Sequence, residues 1–229
     1  MTLNALGTAI REDLLSQDGV QMHHLARRSS SVFSAGAPAS HVYFLQSGIV
    51  KIEKGISGNR ELLLTVVSEG EIFGEQGIVG EGAFNVSARV LVPGIAYSIP
   101  SDRFQQFCAR RPEVWTTLVH YLLQRKEEFE RKVEHLCHSD VRQRIVYYLE
   151  ELSRRSSASD VDGSVIHISQ NELASLVGAT RETTSTTLNA LARQGLIGLS
   201  HRLVTVPSID LLRDSVAASK AKAASTPQV

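Results

Sequence analysis

The sequence predicts an α+β chain. It reads as an N-terminal antiparallel β-roll of the double-sheet, jelly-roll type, one long helix, and a C-terminal unit of short helices closed by a β-hairpin. Three observations carry this. Residues 31–100 hold short runs of Val, Ile, Phe and Tyr punctuated by glycine, the pattern of closely spaced antiparallel strands. Residues 112–138 keep an apolar stripe near heptad spacing on an otherwise charged helix. Residues 168–195 hold two helix-capping signals separated by a tight turn.

The chain opens with Leu3, Leu6, Ile10 and Leu14 at helical spacing, and a second short helix is expected near His23–Ala26. The strand runs are Val42–Leu45, Ile49–Ile52, Leu62–Val67 and Ala88–Val92, with turns expected at Ser47-Gly48, Ser57-Gly58-Asn59, Glu69-Gly70-Glu71 and Pro93-Gly94. A helical segment follows Ser101, with Phe104 and Phe107 inward. Pro112 fits the first turn of the long helix, which runs to about His138. Within it Leu118, Leu122, Phe129, Val133 and Leu136 recur at spacings of four, seven, four and three. A helix lying on its own domain would show such a stripe; the length and narrowness of this one favour a dimer seam, which Arg125 and Lys126 interrupt.

Ser139 is the expected N-cap of a helix from Val141 to about Arg155, and residues 156–163 read as a polar loop. Val165–Ile168 resembles a short strand. Leu196–Leu199 and Leu203–Val206 form a hairpin about Ser200-His201-Arg202, and a last helix spans Ile209–Val216. The expected domains are therefore a roll over 1–111, the long helix over 112–138, a helical unit over 139–216 and a disordered tail over 217–229.

The composition narrows the function. With 229 residues the chain has room for two modest domains, and 24 Lys and Arg balance 24 Asp and Glu, so no global positive field advertises nucleic acid. A reading head needs only a local basic face. The two cysteines, Cys108 and Cys137, are too few for a disulfide framework, a zinc module or an iron–sulfur cluster. No run is long and apolar enough to span a bilayer and no signal pattern opens the chain. The expected setting is the reducing cytoplasm. A cupin-type metal enzyme needs paired histidines on neighbouring strands, and residues 31–100 hold only His41. His23, His24, His41 and His120 are available as haem ligands only in the sense that any surface histidine is; the spacing of His135, Cys137 and His138 could bind a metal weakly, or Cys137 could sense oxidation, but ordinary hinge residues with Cys137 as a small apolar filler are the favoured reading. No metal site or enzyme activity is expected.

The chemistry concentrates in the two-helix unit. Ser169 and Glu172 form a capping box, the first helix buries Leu173, Leu176 and Val177, and Gly178 can end it in a left-handed conformation. Thr180 caps a second helix that buries Leu188 and Leu191 and ends at Gly195. Its outer face carries Arg181, Glu182, Ser185, Thr186 and Asn189. Arg181 has the donor fork for guanine O6 and N7, and Glu182 can accept from cytosine N4. His201 and Arg202 at the hairpin tip suit the phosphate backbone. Ser169 and Gln170 at the opening of the first helix, and Thr180 at the opening of the second, complete the DNA-facing set. A solvated face with an acidic first turn would carry some of the same residues.

These motifs in this order resemble the bacterial Crp/Fnr family of transcription regulators. The resemblance runs from about residue 20 to 212 through Val42–Ile52, Gly70-Glu71-Ile72-Phe73-Gly74-Glu75-Gln76-Gly77, Ser87-Ala88-Arg89-Val90, the long helix and Arg181-Glu182-Thr183. It implies a cyclic-nucleotide-binding-type β-roll, a dimerising helix and a winged helix-turn-helix. It further implies a homodimer on a two-fold symmetric double-stranded operator, with half-sites about 34–36 Å apart, and RNA polymerase as a partner if the protein activates. In cyclic-AMP-responsive members a Gly-Glu pair and an Arg-Ser pair hold the nucleotide. Here Gly74, Glu75 and Ser87 match, while Val86 stands at the arginine position and Arg89 is the one nearby substitute. Phe129 and Glu130 stand where the long helix supplies Thr and Ser to the adenine, and Thr186 replaces a further arginine of the reading helix. A phosphate buried without a cation is costly, so cyclic AMP is not the expected effector. Either another small molecule fills a more apolar pocket or no effector does; a small-molecule module with a vestigial DNA head is the alternative reading.

Overall fold

In the computed structural model, which describes residues 3–56, 60–155, 159–160 and 163–224, long antiparallel strands organise the N-terminal unit, Met1–Glu130. Helix α1 (Leu3–Asp13) buries Leu6 and Ile10, with Leu14 just beyond its end. Then come β1 (Gln21–Leu25), β2 (Ser31–Phe33), β3 (His41–Ile56), β4 (Arg60–Val67), β5 (Ile72–Phe73), a 3-10 turn (Glu75–Ile78) and β6 (Ser87–Pro100). The sheet order is β1-β6-β3-β4, with β2 also on β6 and β5 also on β3. Helices α2 (Ser101–Arg110) and α3 (Pro112–His138) follow.

Three sequence expectations change here. The short helix near His23–Ala26 is instead edge strand β1, paired with β6 from Gln21↔Ser98 to Leu25↔Gly94. A segment that short cannot nucleate a helix on its own, whereas β6 offers it a row of backbone partners. Ser47-Gly48 and Pro93-Gly94 are not turns between strands; they lie inside β3 and β6. The register between these strands shifts at Leu45/Ser47 and Ser47/Ile49, Gly48 has φ 90°, and a Cβ on Gly94 would fall 2.0 Å from the Ser47 carbonyl oxygen. Glycine at both positions lets the paired strands bulge and bend together without breaking. The expected turn at Ser57-Gly58-Asn59 lies outside the described residues.

Strand alternation splits β3 between two cores. Val42 and Phe44 face the helices and pack with Leu6, Ile10 and Phe104. Tyr43 and Leu45 face the roll interior with Phe33, Phe73 and Phe84. On α3, Val114, Leu118 and Tyr121 join the helix-side core. Leu118, expected in a dimer seam, is instead 1% exposed inside its own unit. The Tyr121 hydroxyl donates to the Ile72 carbonyl at 2.6 Å and accepts from Arg125 Nε at 3.1 Å. Arg125 thus interrupts the stripe because it belongs to the face laid on the roll.

The second unit, Arg131–Val229, contains α4 (Val141–Arg155), β7 (Ser159–Asp160), β8 (Gly163–Ile166), α5 (Gln170–Val177), α6 (Arg181–Arg193), β9 (Gly198–Ser200), β10 (Leu203–Val206) and α7 (Ile209–Ala224). Its antiparallel sheet has the order β7-β8-β10-β9. Ile145, Leu149, Leu173, Leu188, Leu191 and Leu212 are fully buried beneath it and its helices. The cap of α4 is Asp140 rather than Ser139: Asp140 Oδ1 accepts from the Gln143 amide at 2.8 Å, and Gln143 Oε1 returns to the Asp140 amide at 3.3 Å. Ser139 closes α3 instead, its amide donating to the His135 carbonyl and its hydroxyl meeting His135 Nδ1 at 2.9 Å. Strand β8 ends at Ile166, two residues short of expectation, because His167 and Ile168 lead into the Ser169 cap. Residues 217–224, expected to be disordered, continue α7; their alanines are the strongest helix formers. The loop residues 156–158 and 161–162 and the tail 225–229 lie outside the described residues. No helix among the described residues is long and apolar enough to cross a membrane.

Candidate nucleic-acid interface

The reading head is built from two local signals that the sequence states outright. The Ser169 hydroxyl accepts from the Glu172 amide at 3.2 Å while the Glu172 carboxylate accepts from the Ser169 amide at 2.9 Å, so the capping box is complete. Gly178 ends α5 at φ 64° and ψ 44°. A Cβ there would also sit 2.7 Å from Leu136 Cδ2, the movable end of a side chain, so it is the left-handed backbone that favours glycine. Thr180 Oγ1 then accepts from the Thr183 amide at 3.2 Å and opens α6. The turn between helices is thereby fixed at both ends by satisfied orphan groups.

Helix α6 buries Thr184, Leu188 and Leu191. Arg181, Glu182, Thr186 and Asn189 are exposed on the remaining surface, as is Thr180 before them; Ser185 is half-buried and accepts a long 3.5 Å bond from Asn189 Nδ2. Ser169 and Gln170 are half-buried at the start of α5. One residue absent from the sequence-level set shares this surface. Arg193 follows Glu182, Thr186 and Asn189 at helical spacing, is exposed, and lines with Thr186, Asn189 and Ala192 an open depression. The signal was present: i, i+4, i+7 and i+11 lie on one face. At 1.5 Å per residue Arg193 stands about 16 Å along the axis from Glu182, more than the roughly 12 Å width of a major groove.

The hairpin of β9 and β10 pairs Ser200 with Leu203, leaving His201 and Arg202 as a two-residue tip. Both are exposed, and Arg202 has φ 57°. Behind the head, Arg142 Nη2 on α4 donates to Gln194 Oε1 at 2.9 Å and fixes the end of α6.

The effector candidates of the first unit lie about an aromatic cluster and a set of ion pairs. Gly74 is left-handed at φ 71° and ψ 42°, and a Cβ on it would press on the rings of Tyr43, Phe33 and Phe84 at 3.1–3.3 Å. Those rings stack tightly, Phe33 and Phe84 with centroids 4.0 Å apart. Val86 packs against the same apolar core. The Ser87 hydroxyl accepts from the Ala35 amide at 3.0 Å. Arg89, the substitute cation, faces away from that core: its neighbours Ala88 and Val90 point inward. Its guanidinium lies 2.6 Å from Glu53 and 3.5 Å from Glu61, so its charge is already matched. Glu75 Oε1 lies 3.9 Å from Arg125 Nε. Burial alone would lower the Arg125 pKa, but Tyr121, Glu71, Glu75 and Glu128 more than offset this and hold it above its ordinary value. Phe129 does not reach inward; it is 58% exposed on the outer stripe of α3.

Comparison with known proteins follows the same division. A family model described as the cyclic nucleotide-binding domain matches residues 24–111, and one described as the Crp-like helix-turn-helix domain matches residues 143–215, with α3 between them. A CRP-like cAMP-activated global transcriptional regulator of Mycobacterium tuberculosis is 32% identical over 187 residues, covering 81% of this chain and 84% of the relative. The global nitrogen regulator of Synechococcus elongatus is 28% identical over 207 residues, covering 89% and 93%. Among solved structures, the c-di-GMP responsive global regulator CLP of Xanthomonas campestris aligns with a TM-score of 0.73 at 28% identity, over 88% of this chain and 99% of that one.

Proposed function

The chain belongs to the Crp/Fnr family of transcription regulators, and from that premise we propose that α6 reads one half-site of a two-fold symmetric operator through Arg181 and Glu182. One observation carries this: two short helices capped by Ser169 and Thr180 about a left-handed Gly178 present both side chains, exposed, at the first turn of the second helix. Arg181 binds guanine, Glu182 binds the cytosine amine, and Ser185, Thr186 and Asn189 contact the neighbouring positions. Gln170, His201, Arg202 and Arg193 hold the phosphates on either side. The protein acts as a homodimer through the exposed row on α3, in the cytoplasm where the operator is, as a regulator and not an enzyme. As an activator it engages RNA polymerase.

The effector, where one acts, is not cyclic AMP. Supporting this are Val86 at the phosphate-pairing position, the commitment of Arg89 to Glu53 and Glu61, and the ring cluster against Gly74. The relatives' names themselves differ in the nucleotide they carry, cAMP in one and c-di-GMP in another.

The test is a random-oligonucleotide selection followed by titration of the selected site. Arg181→Ala should lose about 1–3 kcal/mol on that site and relax the preference at a G·C pair. Unchanged affinity would remove Arg181 from the reading head. A selection that yields no sequence preference would favour a small-molecule module with a vestigial head.

A further inference from the structure

Helix α3 presents a row to solvent on the side opposite the roll. Trp115, Val119, Leu122 and Phe129 are 39–58% exposed, and Val133 and Leu136 continue the row at 45% and 44%. From Trp115 to Leu136 the spacing is four, three, seven, four, three. The gap of seven is filled at heptad spacing by Lys126. In heptad terms Val119, Lys126 and Val133 occupy a, and Trp115, Leu122, Phe129 and Leu136 occupy d. The other face, Val114, Leu118, Tyr121 and Arg125, is the one laid on the roll. Lys126 forms a close ion pair with Glu130, one turn further along the same helix.

We propose that Lys126 sets the strand number of the α3 seam, an inference that rests on α3 being the dimer interface. The occupant of the row is the same row on a second copy. β-Branched valine at a with large residues at d favours two parallel strands. In register, the two Lys126 side chains meet at a central a layer. In a two-stranded seam their stems cover apolar surface while the ammoniums lean outward to Glu130. A third or fourth strand would enclose it. That arrangement takes the charge out of water, and its cost selects the dimer. The same layer makes the dimer weaker than an unbroken apolar seam would be.

Sedimentation velocity of the full-length protein over a range of concentrations tests this, with circular dichroism as the check on folding. Lys126→Leu should tighten the dimer at least tenfold and should populate species larger than the dimer as concentration rises. Phe129→Asp should give monomer. A Lys126→Leu protein confined to the wild-type monomer–dimer equilibrium, beside a monomeric Phe129→Asp protein, overturns the role of Lys126 and leaves the seam intact. A Phe129→Asp protein that remains dimeric overturns the seam itself.

Discussion

At the scale of single residues, position on the helix decides what a charge can do. Arg193 lies on the same face as Glu182 but about 16 Å further along the axis, so the partner we propose for it is a phosphate. Arg193→Gln should therefore weaken binding by a similar factor for all sequences and flatten the salt dependence by about one unit of slope per protomer. Titration of a selected and a scrambled duplex at several salt concentrations reads both effects; a loss confined to the selected site would make Arg193 a base reader. Lys132 shows the opposite situation, a charge withdrawn from water. It is 6% exposed and sits 5.7 Å from the centroid of the Tyr148 ring. Burial lowers its pKa from 10.5 to about 8. The unfolded chain thus binds more protons between these values, so stability rises with pH across that window and the penalty is fully present below about 8. Urea denaturation should show wild type gaining on Lys132→Met between pH 8 and 10.5. Parallel pH profiles for the two would contradict the assignment.

At the scale of elements, the helices of the reading head are short and depend on their ends. An isolated helix the length of α5 would not persist in water, so its stability comes from the buried Leu173 and Leu176 and from the capping box. Ser169→Ala removes the hydroxyl that takes the Glu172 amide and should cost about 1 kcal/mol in chemical denaturation. An unchanged midpoint would mean that water satisfies the freed amide equally well. These caps were legible in the sequence because both partners lie within four residues. The glycines of the roll were misread for the converse reason. Ser47-Gly48 and Pro93-Gly94 carry turn chemistry, but β3 and β6 pair across them, and only that long-range pairing converts two turns into one shared bulge. Ser139 and Asp140 show a finer case. Both are good caps, and the continuation of α3 to Ser139 leaves the task to Asp140.

At the scale of the whole molecule, an effector-type roll and a reading head are joined along one chain by α3. A ligand that binds the folded roll and not the unfolded chain raises stability by about 2.7 kcal/mol at a hundredfold excess over its dissociation constant. Cyclic AMP at millimolar concentration should leave the thermal unfolding of this protein where it was. An upward shift would show that the roll holds a phosphate without an arginine at position 86. The same measurement with c-di-GMP and with other small metabolites provides a direct search for the effector.

By itself the sequence determined the order of the parts, the caps of the reading head, the left-handed Gly178 and the residues at the opening of α6. Each is a local matter of residue type and spacing along one helix or turn. Only the tertiary structure decided which face of α3 is spent on the roll, taking Leu118 out of the stripe and adding Trp115 and Val119 to Leu122 and Phe129. It alone showed that Arg89 is held by Glu53 and Glu61. Those outcomes depend on neighbours distant in the chain, and a periodic pattern of apolar residues does not say which of two packed surfaces will cover it.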